Sequence, residues 1–178
     1  MINKFNKLKQ LNLQDEEKEL LLNFFLTYSC FEFALKATDF ARPTRRIEKD
    51  IDVYLVSTNW DSYATSIKDK FDKTDNEDLN KASDYLLQNP PMQQVIFENN
   101  LMWNTITPND NLTDIEKLLK LISHIRNNLF HGGKFDIEVH EQAERTEYLL
   151  RYGLIILEEC LRLTPDVKKA FDRANLQP

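Results

Sequence analysis

Residues 47–55 read IEKDIDVYL, and the period assigned to them decides the fold class. Ile47, Ile51, Tyr54 and Leu55 recur at helical spacing, whereas Ile51, Val53 and Leu55 alternate as a short strand would. The composition around them tips the choice. Glycine occurs only at 132, 133 and 153, and a sheet protein of 178 residues needs more tight turns than those positions serve. The stretch is therefore read as a helix, and the chain as an all-α bundle.

Upstream, residues 15–41 read as a first helix, with Asp15, Glu16 and Glu17 in the turn where the helix dipole favours negative charge and Pro43 ending it. Its apolar residues surround most of its circumference, as in a helix held between a core and a partner. The run LLLNFFLTYSCFEFALKATDF over 20–40 is broken by Glu32, Lys36 and Asp39. Its uncharged start is too short to cross a bilayer, so it is read as a core helix with no membrane role. Downstream, residues 57–110 are rich in Asn and Asp and are punctuated by Pro90, Pro91 and Pro108. Short helices are expected there over 62–73, 77–88 and 92–103.

The clearest helix spans 113–131, opened by a Thr113/Glu116 capping box and stopped by Gly132. A long helix follows over 140–163, braced by Glu141 with Arg145 and Glu147 with Arg151, and halted before Pro165. A short C-terminal helix completes the chain.

Hydrophobic residues at 42% and charged residues at 29% describe a folded chain able to bury a core as one domain over 1–178, without disulfide staples. Cys30 and Cys160 lie in apolar helical stretches and read as small buried hydrophobes, which suits a reducing cytoplasm. Lys4, Lys7 and Lys9 precede no uninterrupted apolar segment, so no export signal is read. The net charge of −6 disfavours tight nonspecific binding of nucleic acid, yet permits a local basic cleft.

On the 113–131 helix, Lys120, His124, Asn127, Asn128 and His131 fall on one polar stripe. The opposite arc holds Ile115, Leu118, Leu119, Ile122, Ile125, Leu129 and Phe130. Arg126 falls inside that apolar arc, where a guanidinium needs an anion or a cleft, and Glu32 on the first helix is one candidate partner. His131 has a plain reading as a cation complementing the helix C-terminus. Its chemical reading is sharper: an imidazole to move protons beside a fixed cation to hold phosphorane charge is sufficient equipment for RNA cleavage.

The string RNNLFHGGK at 126–134 resembles the signature of HEPN domains, in which an Arg, most often followed by Asn, precedes a His near a helix end. The resemblance implies an all-α bundle and a homodimer whose two motifs face each other. It also implies RNA cleavage without metal or cofactor, leaving a 2′,3′-cyclic phosphate and a 5′-hydroxyl. By the same resemblance His131 transfers protons, Arg126 stabilises the phosphate and Asn127 gives polar support. Asn128, Lys134 and His124 are further candidates for RNA contact, as are Arg42, Arg45 and Arg46 after the first helix.

Family members act as toxins or in antiviral defence, which implies an antitoxin or defence-system partner. The toxins silenced by nucleotidyltransferase antitoxins carry Tyr where this chain has Gly133, so that class of partner is not implied. The alternative is a catalytically silent HEPN-like module that binds RNA or a protein, although its motif is normally eroded and here stands whole. A metal hydrolase built from His124, His131, Asp136, Glu138 and His140 lacks any recognised ligand spacing, so no metal is expected.

Overall fold

The structure is a computed structural model that describes residues 14–48, 51–71, 76–130 and 143–175. It corrects the all-α expectation, because two antiparallel hairpins stand among the helices and make the fold mixed α/β.

Helix α1 spans Asp15–Lys36. Its first turn is acidic as expected, and the Gln14 backbone N–H donates to Glu17 Oε2 at 2.8 Å, a cap not read from the sequence. Phe24, Tyr28, Phe31 and Leu35 follow at helical spacing and form its buried stripe. The helix ends before the expected residue 41: the Ala37 N–H closes on Phe33 O, and Thr38 Oγ1 donates to Ala34 O. Among the described residues no helix is long and apolar enough to cross a membrane.

Strands β1 (Ala41–Glu48) and β2 (Ile51–Thr58) pair antiparallel, from Ala41 opposite Thr58 to Glu48 opposite Ile51. The expected helix through 47–55 is therefore a hairpin. Ile51, Val53, Val56 and Thr58 are β-branched, and Pro43, which would break a helix, is tolerated on an open-edged strand. Neither face is packed into the core. Ile47, Ile51, Tyr54, Leu55 and Val56 all remain exposed.

Helix α2 (Trp60–Ile67) starts earlier and ends sooner than the expected 62–73, because Asn59 Oδ1 caps it by accepting from the Ser62 N–H at 3.3 Å. Helix α3 (Glu77–Gln88) keeps the expected bounds, with Asn76 Oδ1 accepting from the Leu79 N–H. The expected helix at 92–103 is the second correction, since β3 (Met92–Phe97) and β4 (Asn100–Thr105) form another hairpin there. Its turn residues Glu98 and Asn99 have φ of 49° and 65°, the left-handed pair that a two-residue hairpin loop needs. The turn is built without glycine, so scarcity of glycine did not exclude a sheet.

Helix α4 spans Asp114–Phe130, opened by Thr113, whose N–H and hydroxyl both donate to Glu116 Oε2, at 2.8 and 2.7 Å. Helices α5 (Ala143–Leu163) and α6 (Pro165–Asn175) are the last elements among the described residues. The Glu147–Arg151 pair forms at 2.7 Å, while Glu141 lies outside the described residues.

The core gathers where α1, α4 and α5 meet, with Phe24, Phe31, Leu118, Leu121, Ile122, Ile156 and Leu157 fully buried. A Cβ added at Gly153 of α5 would lie 2.9 Å from Phe24 Cε2 and 3.8 Å from Ile122 Cγ1, so the missing side chain sets how closely the three helices approach. Cys160 is buried and Cys30 half-buried, both as free thiols.

Candidate active site

The two faces of α4 separate largely as its sequence requires. Ile115, Leu118, Leu119, Leu121, Ile122 and Ile125 are buried, and Leu129 is half-buried. Lys120 and Asn127 are exposed, with His124 and Asn128 half-buried. His131 and Lys134 lie outside the described residues, so the structure describes Arg126 and Asn127 of the Arg126, Asn127 and His131 set.

Arg126 is half-buried, as its place on the apolar arc demands. Its Nη1 donates to Asn127 Oδ1 at 3.1 Å, and its Cζ lies 5.7 Å from the centroid of the Tyr28 ring on α1. At that range the negative face of an aromatic ring attracts a guanidinium, so the cation meets a π surface where an aliphatic core would reject it. Tyr28 is itself only 4% exposed. Its hydroxyl donates to Ser123 Oγ at 3.2 Å, and Ser123 Oγ donates onward to Leu119 O at 2.9 Å. Trp60 stacks against Tyr28 at 5.6 Å and against Phe31 at 6.0 Å, which fixes the plane on which Arg126 rests.

Burial raises the Tyr28 phenol above its ordinary range, helped by Glu32 and opposed by the Ser123 bond and by Arg126. The ring is therefore a neutral support at physiological pH. Glu32 forms an ion pair with Lys36 of its own helix at 3.0 Å.

Asn128 is committed elsewhere: its Nδ2 donates to Met92 O at 2.6 Å, tying the end of α4 to the root of β3. Arg145 of α5 holds the same root by donating to Pro90 O at 2.6 Å. Burial lowers the His124 imidazole pKa, which favours its neutral form. Among the described residues no group of His, Cys, Asp and Glu is placed to hold a metal ion, and Asp136, Glu138 and His140 lie outside them.

The arginines expected as one cluster are separated by the strand that carries them. Register puts Arg42 and Arg46 on one face of β1 and Arg45 on the other. Arg45 pairs with Asp52 at 2.8 Å, while Arg42 donates to Asn59 Oδ1 at 2.7 Å and lies 3.8 Å from Asp61. Arg42 is linked to Arg126 through contacts, since it bonds Asn59, Asn59 caps the helix whose Trp60 stacks on Tyr28, and Tyr28 faces Arg126. Tyr28, Ser123 and Trp60 were not singled out from the sequence. The one signal was a polar-tipped aromatic on the otherwise apolar stripe of α1.

No family model, curated protein or solved structure matches this chain. The HEPN resemblance accordingly rests on the RNNLFHGGK string and on its position at the end of a capped helix.

Proposed function

We propose that this chain is a metal-independent endoribonuclease of HEPN type, acting as a homodimer in the cytoplasm in a toxin or antiviral-defence role. The observation that carries the reading is Arg126, held 5.7 Å from the Tyr28 ring and bonded to Asn127 at 3.1 Å near the end of α4. A guanidinium fixed in that way meets phosphorane charge with little reorganisation.

In the reaction His131 takes the proton of a ribose 2′-hydroxyl, whose oxygen attacks the adjacent phosphorus. Arg126 holds the charge that develops on the phosphate oxygens, and the departing 5′ oxygen takes a proton from the partner's His131. The products are a 2′,3′-cyclic phosphate and a 5′-hydroxyl, with atoms and charge balanced and no added reactant.

The test incubates total RNA with wild type, Arg126→Ala and His131→Ala in EDTA and scores end chemistry. Wild type leaves cyclic phosphates, and loss of the Arg126 cation lowers kcat by about 10²- to 10³-fold. Equal cleavage by all three proteins overturns the assignment. The apolar side chains exposed on both hairpins favour a second reading, a catalytically silent module that binds a protein or RNA. Folded wild type that binds RNA without cutting it would establish that alternative.

A further inference from the structure

Among the described residues the β1–β2 hairpin has two open edges, of opposite character. β1 (ARPTRRIE) carries Pro43 together with Arg42, Arg45, Arg46 and Glu48, which are the features that keep an edge strand from pairing with another chain. β2 (IDVYLVST) carries Asp52 as its single charge and is otherwise rich in β-branched and aromatic residues. One edge is guarded and the other is not.

The faces add a second constraint. Ile51 and Leu55 are 66% and 50% exposed on one face, while Ile47, Tyr54 and Val56 are 64%, 57% and 48% exposed on the other. A partner laid across either face leaves the opposite one wet, whereas a strand added in the plane of the sheet extends both. A hairpin of only two strands is also marginal by itself.

We propose that the open edge of β2 pairs antiparallel with the same edge of a second copy of this chain. The product is a four-stranded sheet in the order β1-β2-β2-β1. Self-pairing suits the residues. A two-fold axis perpendicular to the sheet keeps like faces together when it passes beside a residue, and pairing nearly the full length of β2 puts that residue at Tyr54 or Leu55. Asp52 then lies opposite the partner's Val56 or the partner's Thr58, and the two aspartates never meet. Guarded β1 strands then lie at both outer edges, so the sheet stops at four strands. The β3–β4 hairpin offers no such selection, since both of its strands are uncharged.

This dimer stands independently of the ribonuclease reading and is measured by mass, without RNA. An edge contact of this length belongs with small interfaces, below about 1,200 Å² in total, so association depends on concentration. Sedimentation of the full chain from low micromolar to submillimolar concentration should show the mass at least doubling, from one chain upward or from a motif-facing dimer upward. Hydrogen exchange of the amides at 51–58 should slow in step.

Leu55→Lys sets like charges beside the axis and should raise the dissociation constant at least about tenfold, as should Leu55→Asp. An equimolar mixture of the two variants should recover association, which a hairpin that merely failed to fold would not do. The proposal is overturned if the mass of wild type does not change with concentration or if Leu55→Lys associates like wild type. It is overturned equally if the mixture stays dissociated. Unchanged association of Leu55→Lys would move the contact to another surface and leave a motif-facing dimer untouched.

Discussion

Tyr28 supports Arg126 through its ring, and its hydroxyl serves a separate bond to Ser123, so substitution separates the two roles. Tyr28→Phe keeps the π surface and should retain kcat while losing about 1 kcal/mol of stability with the hydrogen bond. Tyr28→Leu removes the π surface and should lower kcat by up to about tenfold with KM little changed, as expected of a cation–π contact worth about 0.5–2 kcal/mol. Kinetics on a short RNA beside thermal melts would decide, and equal kcat losses in both variants would remove the ring from the argument. His124 makes a prediction in pH. Burial holds its folded pKa below the ordinary 6.5, so the unfolded chain binds more protons in the window beneath that value. Its contribution to stability is full above pH 6.5 and is lost as pH falls through the lowered folded value. Melting temperature should therefore drop between pH 7 and about pH 5 more steeply in wild type than in His124→Gln. His124 and Arg126 were legible in the sequence because a polar group on or beside an apolar helical arc is conspicuous. Tyr28 was hidden, because its apolar body satisfies the same periodicity as Phe24 and Phe31.

The elements that were read correctly bury a stripe, and those that were misread do not. In α3 and α4 the core demands apolar residues at helical spacing, and capping residues mark the starts, so both sets of bounds fall close to the expected ones. The hairpins project both faces to solvent, and a sheet without a buried face imposes no alternation on its sequence. Ile47, Ile51, Tyr54 and Leu55 were thus free to match a helix by accident. The second hairpin hid its turn as well, since Glu98 and Asn99 adopt positive φ without glycine. That turn is a place to gain stability. Replacing both residues to give Glu98→Asn with Asn99→Gly supplies the preferred two-residue loop, and should stabilise the hairpin by about 0.5–1 kcal/mol. Amide exchange over β3 and β4 would register the gain as slower opening, and faster exchange would count against the turn geometry. Asn128 and Arg145 hold the root of this hairpin to α4 and α5, so its opening should be local and leave the helices protected.

Across the whole molecule, the candidate site is joined to the core by a short series of rings. Phe24, where α1 meets Gly153 of α5, stacks on Tyr28 at 6.4 Å, and Tyr28 carries the Arg126 guanidinium. Gly153→Ala should therefore do two things. A methyl placed 2.9 Å from Phe24 Cε2 forces a fully buried ring to shift, and overpacking of this kind costs about 1–3 kcal/mol. Better helix propensity returns up to about 1 kcal/mol, leaving a net loss near 1 kcal/mol and a melting temperature lower by about 2–4 °C. The displaced Phe24 also moves the surface beneath Arg126, so kcat should fall although Gly153 lies on a helix that contributes nothing to the motif. Leu86→Ala is the control, since Leu86 is buried on α3 and is not one of these rings, and its loss costs about 2–5 kcal/mol. Assayed well below both melting temperatures, the less stable Leu86→Ala protein should keep its kcat while the more stable Gly153→Ala protein loses part of it. If kcat instead follows stability in the two variants, packing at Gly153 does not reach Arg126, and the rings serve the core alone.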